Sequence, residues 1–501
     1  MPRSAQRWTL VAAILGLAIT ITDQTVVYLA LPAIERDLGF GLAGQQWVVS
    51  AYLVPLAGLL LLGGALADRH GRRRLFVSGA VAFGLASIAA ALAPSATVLF
   101  AARAVQGVAA AALMPATLAL VSGAYSGEAR GGAIGAWAAW SGIGSALGPV
   151  IAGVLVDALS WRWVFAINVP FVVIAVAIAV TRVPEQRDPD LRGSPADVGG
   201  AFLGAATLGA IAFVLVQGPA LGWTHPAVLG AAVLVVIGAA SFVVREQRAP
   251  HPVLPLSVFR SRAFSAANAV TLALYASLAG VFFLVMIHLQ TVMGYPALAA
   301  GLASLPVTAM MLLLSSFFGR LGTRVGPRPL MSLGPLVFTA GTILLAALVP
   351  GHGYLTHVLP GMTLLGLGLA VTVAPLTTTV MSAVSERRAG LASGVNNAVA
   401  RTAGLLGVAV GGMVFGAVFR AMLMGEVPAD PPPSLAQEIA AVLARPTTAL
   451  ELDLSREARR VLRPLLEAAT LTSYRGAMGA MALLAVLAGL AARLGLPRRG
   501  Q

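Results

Sequence analysis

The sequence has no cysteine, which excludes disulfides, thiolate metal sites and cysteine nucleophiles. Lysine is absent too: all 33 basic residues are arginine. Charge of either sign is scarce. Asp, Glu, Lys and Arg make up 10% of the 501 residues, against roughly 25% in a soluble domain. No polar stretch is long enough for a nucleotide-binding domain, so a single-chain ATP-driven pump is excluded. No metal-ligand spacing, phosphate-binding glycine loop or Ser/His/Asp arrangement stands out. The chain is therefore not read as an enzyme, and no cofactor or metal is expected.

What the sequence does contain is apolar length. Hydrophobic residues make up 58% of it, in continuous runs of about 20 residues, the length of a membrane helix. Barrel strands alternate every second residue and are excluded. Fourteen spans are expected, at 8–31, 46–66, 75–93, 97–121, 132–157, 163–182, 197–217, 227–244, 264–290, 296–319, 329–349, 355–380, 390–419 and 472–494. Arg3 and Arg7 before the first run resemble a signal peptide. That run continues to Leu31 and many spans follow, so it is read as a retained helix. The net charge of +14 does not point to nucleic acid, because the arginines sit in short loops. Twenty-two of them share one side with both termini, nine lie opposite, and Arg103 and Arg401 lie inside spans. The arginine-rich side is expected to be cytoplasmic.

The chain repeats itself. Gly64-x-Leu66-x-x-Arg69-x-Gly71-x-Arg73 is echoed by Gly319-x-Leu321-x-x-Arg324-x-Gly326-x-Arg328, and Glu128-Ala-Arg130-Gly-Gly132 by Glu386-Arg-Arg388-Ala-Gly390. The expected domains are a six-helix bundle over 1–182, two inserted helices over 183–262, and a second bundle over 263–501. The last includes a polar outer loop at 420–471. Within that loop, 435–444 and 455–470 are amphipathic, as a cap over a vestibule or a linker.

Charge inside a membrane costs about 2.5–3.5 kcal/mol even on lenient scales, so each instance is a functional candidate. Asp23 is the one carboxylate well inside a span. Helical rise places it about 12 Å below the outer surface and Arg103 about 9 Å below it. The two are at matching depth and can face each other across a cavity. Desolvation raises a carboxyl pKa and a guanidinium lowers it, which is what a proton-coupling group needs; a static helix-joining pair is the alternative. Gly142, Gly144, Gly148, Pro149 and Gly153 give the fifth span a smooth, kinked face suited to close or sliding contact. Ordinary small-residue packing explains it equally. Arg69, Arg72, Arg73 and Arg74 orient the chain. Asp68 and the paired glycines exceed that need, and Glu128 and Arg130 offer Arg72 or Arg73 a partner. His288 and Gln290, at the end of the ninth span, are read as interface residues. Asn268, Asn396 and Asn397 are candidate cavity polars.

These motifs together resemble the major facilitator superfamily, in its branch of fourteen-spanner drug:proton antiporters. The Gly64–Leu75 loop is similar to that superfamily's signature between helices 2 and 3. Thr22-Asp23-Gln24-Thr25-Val26-Val27 through Ile34, Trp47 through Leu53, Ala102-Arg103-Ala104-Val105-Gln106-Gly107 with Pro115, the glycine face of span 5, and Trp161-Arg162-Trp163 through Pro170 resemble motifs of the branch. Tyr28 stands where Asn is common, Ala152 where Gly is common, and Thr323 where the first half has Asp68.

The resemblance implies two six-helix bundles plus two inserted helices, rocking around a central cavity. It implies proton coupling at Asp23 and Arg103. Gly64, Asp68, Arg69, Gly71, Arg72, Arg73, Glu128 and Arg130 would form a cytoplasmic gate. Gly144, Gly148, Pro149 and Gly153 would bias the chain toward export. Gln24, Tyr28 and Gln106, from the same motifs, join Asn268, Asn396, Asn397 and Arg401 as candidate cavity residues. The expected protein is a monomeric proton-driven exporter of small lipophilic compounds. It would sit in the cytoplasmic membrane among lipid, with both termini inside. A dedicated exporter of one endogenous metabolite, lipid or peptide is the alternative within transport. A non-transporting sensor or scaffold on the same fold is the alternative outside it.

Overall fold

A computed structural model describes residues 2–187, 197–250, 252–384, 389–427 and 431–497. Among them every regular element is helical. The first bundle comprises α1 (Arg3–Leu38), α2 (Leu42–His70), α3 (Arg72–Ala91), α4 (Ala96–Ala124), α5 (Gly127–Ala158) and α6 (Trp163–Arg182). The inserted pair is α7 (Val198–Leu221) and α8 (Pro226–Arg248). The second bundle comprises α9 (Arg262–Thr291), α10 (Ala297–Val325), α11 (Pro327–Ala346), α12 (Tyr354–Ser382), α13 (Ala389–Glu426) and, after the short α14 (Pro433–Ala444), α15 (Arg456–Gly495). Thirteen of these helices are long and apolar enough to cross a membrane. The described apolar stretch of α5, Leu147–Ala158, makes the fourteenth.

The helices begin and end where local chemistry dictates. Ser95, Asp197, Ser261 and Ser455 cap α4, α7, α9 and α15 by accepting a backbone N–H with their side chains, which satisfies a donor that the first turn leaves unpaired. Two glycines carry the repeat into geometry. Gly71 joins α2 to α3 at φ 115° and Gly326 joins α10 to α11 at φ 87°. A side chain is strained at such φ values, so each turn requires glycine.

The inserted pair is peripheral: α7 lies against α2 and α13, and α8 lies mainly against α7. Most of α8 is exposed on the protein's own surface, with Val233, Leu234, Val236 and Ile237 all open. That is the pattern of a helix facing lipid rather than a protein core.

The outer loop is shorter than 420–471. Helix α13 runs on to Glu426, and the second amphipathic stretch is not separate but forms the first four turns of α15. Leu462 and Leu466 are fully buried, whereas Arg459 and Arg463 pair at the surface with Asp453 and Glu467. The 3.6-residue period continues through Pro464, so no break separates that stretch from the span. Pro433 at the first turn starts α14, as its fixed φ favours. Ile439 and Val442 bury its inner face. His288 stacks on Tyr474 with ring centroids 3.8 Å apart, an interface between α9 and α15.

Candidate functional site

Asp23 and Arg103 do not face each other across a cavity. They touch. They lie at matching depth on packed helices, and their side chains meet. Arg103 Nη1 donates to Asp23 Oδ2 at 2.5 Å, and both side chains are essentially unexposed. The other carboxylate oxygen accepts from Asn168 Nδ2 at 2.9 Å and Gln106 Nε2 at 3.4 Å. Gln106 also donates to Ser87 Oγ at 2.8 Å and accepts from Arg103 Nη1 at 3.0 Å. Arg103 Nε reaches the Val48 carbonyl at 3.1 Å. Its guanidinium lies 4.4 Å from the Tyr52 ring centroid and 5.6 Å from that of Phe165, close enough for cation–π attraction.

Side chains or carbonyls from α1, α2, α3, α4 and α6 therefore converge on one buried charge pair. Removing either partner of such a pair strands a charge and costs about 3–5 kcal/mol.

The next residue on α1 points the other way. Gln24 Oε1 accepts from Arg401 Nη1 at 2.5 Å, so α1 carries the ion pair on one side and a bond to the second half beside it. Arg401 Nη2 lies 3.7 Å from Met114 Sδ, and its buried Nε has no hydrogen-bond partner. Tyr28 is buried, one turn along α1 from Gln24. Asn268 and Asn396 spend their polarity on each other: Asn396 Nδ2 donates to Asn268 Oδ1 at 3.2 Å and to Thr271 Oγ1 at 2.7 Å. Asn397 is exposed and stands outside that pair.

The glycine face of α5 makes two contacts. A Cβ on Gly148 would lie 2.1 Å from Thr25 Oγ1, and one on Gly144 3.5 Å from Thr22 Oγ1, so this part packs on α1 beside Asp23. A Cβ on Gly153 would lie 2.3 Å from the Leu298 Cα, and one on Gly301 2.4 Å from the Pro149 carbonyl oxygen. There α5 meets α10, backbone to backbone, across the two halves. One turn beyond Gly153, the Asp157 carboxylate accepts the Ala297 and Leu298 N–H groups at 3.0 and 2.8 Å. The two donors belong to the first turn of α10, where they have no partner within the helix.

A second seam closes the same face. Thr448 Oγ1 donates to the buried Glu35 at 2.7 Å, and Gln45 Nε2 donates to the other Glu35 oxygen. Thr447 donates to Gln45 Oε1 at 3.3 Å, Arg445 to the Gly39 carbonyl at 3.1 Å, and Arg36 pairs with Glu451 at 3.4 Å. Gln46 Nε2 bridges to the Val408 and Ala409 carbonyls, each at 3.0 Å. Among the described residues, the hydrogen bonds between halves lie on this face, opposite the termini, or at mid-depth through Arg401. Segment 445–451 is thus a seal rather than a linker.

On the terminal face, among the described residues, the hydrogen bonds of Asp68, Arg72 and Arg73 lie within the first half. Arg72 donates to Asp68 Oδ1 from Nε and Nη2 at 3.0 and 2.8 Å. Arg69 Nη1 reaches its own helix at the Ala65 carbonyl, 3.1 Å away. Arg73 has a partner that the motif did not supply. Glu185, just past α6, accepts the Arg73 N–H at 3.1 Å and lies 3.8 Å from the guanidiniums of Arg73 and Arg74. The turn at Gly71 aims Arg73 at that linker. Arg130 bonds the nearby Tyr125 carbonyl at 3.1 Å, and the Glu128 side chain lies outside the described residues. Gly64 faces Pro115, 3.7 Å from where its Cβ would be. Among the described residues, no group of three or more His, Cys, Asp or Glu could hold a metal.

Several participants were not singled out in the sequence. Asn168 and Asp157 had signals: an amide within the Trp161–Pro170 motif, and an acid continuing the Gly153 face at i+4. Ser87, Glu35, Gln45, Gln46, Thr448 and Glu185 had none, because their roles depend on which helices meet.

Two six-helix bundles joined along one face, with an ion pair buried in the first, define a multi-pass membrane transporter scaffold. A family model for the Major Facilitator Superfamily matches residues 13–408. The chain belongs to that superfamily. It is 35% identical over 419 residues to "Multidrug resistance protein Stp" of Mycobacterium tuberculosis (strain CDC 1551 / Oshkosh), covering 83% of this chain and 77% of that one. It is 37% identical over 414 residues to "Puromycin resistance protein pur8" of Streptomyces alboniger, covering 82% of each. It is 34% identical to "Methylenomycin A resistance protein" of Bacillus subtilis (strain 168), covering 83% of this chain and 91% of that one. A solved bacterial homologue of the human lysosomal transporter Spinster shares the fold, at a TM-score of 0.70 and 17% identity, with 99% of this chain and 97% of that one covered.

Proposed function

We propose that the protein is a proton-coupled exporter that moves drug-like or lipophilic compounds out across the cytoplasmic membrane by alternating access. The observation that carries this reading is the buried Asp23–Arg103 pair, one residue from the inter-half bond of Gln24 to Arg401. Protonation of Asp23 releases Arg103 and disturbs the helix that also holds the second half. Loss of the proton lets the pair re-form. With the arginine-rich terminal face as the cytoplasmic one, the hydrogen-bonded seam between the halves lies on the outer side. One proton entering down about 100 mV supplies about 2.3 kcal/mol, enough for roughly a fiftyfold gradient of a neutral substrate. The names of the similar proteins, which denote resistance to drugs or antibiotics, support the same class of cargo.

A second reading is export of one compound only, since several relatives are named for a single antibiotic. A substrate panel in cells lacking their own pumps separates the two. Protection against several unrelated lipophilic cations and neutral drugs is expected. Protection against one compound establishes the second reading, and protection against none contradicts export of drug-like compounds.

The Gly64–Leu75 loop acts in this proposal as a cytoplasmic latch. Asp68→Asn is expected to slow turnover by about tenfold, the equivalent of about 1.4 kcal/mol at the barrier. Substrate affinity should stay within twofold (about 0.4 kcal/mol), because Asp68 is remote from the cavity residues. Stability should fall by no more than about 1 kcal/mol, as the Asp68–Arg72 pair is partly exposed. Transport kinetics with binding measured in parallel check this; a large affinity loss with unchanged turnover contradicts the latch.

A further inference from the structure

The two halves hold the ends of their repeated loops in the same way, with one difference. In the first half, Arg73 Nη1 donates to the Val183 carbonyl at the end of α6, and Glu185 supplies a carboxylate to Arg73 and Arg74. In the second half, the counterpart Arg328 donates from Nε to the Arg493 carbonyl near the end of α15, at 2.8 Å. No carboxylate answers it among the described residues. The sequence after α15 brings Arg498 and Arg499, which lie outside those residues, where the sequence after α6 brings Glu185.

A groove of about 430 Å³ opens at this point between α11 and α15, with Arg328 and Arg493 at its terminal-face end. Its walls include Leu333, Leu336 and Leu490, all about half exposed. Gly489 forms part of the wall, and a Cβ there would lie 3.0 Å from the Ser332 carbonyl oxygen. On membrane-spanning helices an apolar wall exposed in this way faces acyl chains. A pair of guanidiniums at the membrane surface attracts phosphate.

We propose that this groove binds an anionic phospholipid. Its phosphate sits between Arg328 and Arg493, in the place that Glu185 takes in the first half, and one acyl chain lies along Leu333, Leu336 and Leu490. Charge complementarity favours an anionic lipid over a zwitterionic one, and the apolar wall favours a lipid over free phosphate. The site is independent of what the chain exports, since none of its residues belongs to the ion pair, the outer seal or the cavity.

The test is native mass spectrometry of the full-length protein with phosphatidylglycerol, phosphatidylcholine and water-soluble glycerol phosphate. The wild-type chain is expected to retain phosphatidylglycerol over phosphatidylcholine by about tenfold. Arg328→Gln with Arg493→Gln should remove that preference, and Arg182→Gln, a control on the same face, should keep it. Among the described residues the Arg493 side chain makes no hydrogen bond, so Arg493→Gln alone, expected to lose about half of the preference on a logarithmic scale, replaces the double variant if that one does not fold. The proposal is overturned if the arginine variants keep the preference, if Arg182→Gln loses it equally, or if glycerol phosphate binds as well as the lipid.

Discussion

Asp23→Asn is expected to lower gradient-driven export by at least about a hundredfold, a loss of about 2.7 kcal/mol or more at the coupled step. Asparagine cannot take up or release the proton. It also cannot accept from Arg103, Asn168 and Gln106 as a carboxylate does, because one of its two polar groups is itself a donor. The substitution leaves Arg103 as a buried cation between Tyr52 and Phe165 with no counter-charge, so a stability loss of about 3–5 kcal/mol accompanies it. Misfolding and uncoupling are told apart by a second variant. Asp23→Asn with Arg103→Gln removes both charges and should regain most of the stability while remaining uncoupled. Substrate exchange without a pH gradient, which requires no net proton movement, should persist in the double variant. If its gradient-driven export returns along with its stability, Asp23 is structural only.

The second large effect is expected at the outer seal, from the smallest possible change. In Gly153→Ala the new Cβ would sit 2.3 Å from the Leu298 Cα and 2.7 Å from its nitrogen, both backbone atoms that cannot rotate away. The α5–α10 seam therefore cannot close as it does here, and the Asp157 bonds to Ala297 and Leu298 lengthen with it. Those charge-assisted bonds are each worth roughly 1.5–3 kcal/mol, so even partial loss moves the population toward the outward-open form. Helix α5 itself should be favoured by about 0.5–1 kcal/mol, since alanine replaces a helical glycine. The variant is expected to fold, and to export at least about tenfold more slowly. The absence of cysteine makes the readout clean. Ala297→Cys, buried in the seal, should react slowly with an impermeant maleimide applied from outside, and about tenfold faster when combined with Gly153→Ala. Equal labelling rates would show that this contact does not govern closure.

The readability of this chain divides along physical lines. Continuous apolar runs give the spans, because hydrocarbon demands length. Helical rise gives the common depth of Asp23 and Arg103, because it is a property of one helix at a time. Whether the two touch depends on how closely α1 and α4 approach, which no single helix encodes. Arg73 shows the same limit. Its partner Glu185 reaches it because α6 returns its end to the start of α3, which no local motif marks. The amphipathic period of 455–470 is visible in the sequence, but its fusion with the last span is not: burial of Leu462 and Leu466 carries the helix through Pro464. The seal at Glu35 and Thr448 joins residues more than 400 positions apart, and nothing local marks either one.

Coupling requires that Asp23 exchange a proton as substrate binds, and the most direct measurement is proton release from purified protein in weakly buffered solution. Adding a transported compound, at steps between about pH 6 and pH 8, is expected to release protons from the wild-type chain, up to about one per molecule, since exclusive binding of proton and substrate is what antiport requires. Asp23→Asn with Arg103→Gln should bind the same compound and release none. Release of the same size from that variant, or binding to the wild-type chain without release at any pH in the range, would contradict proton coupling at Asp23.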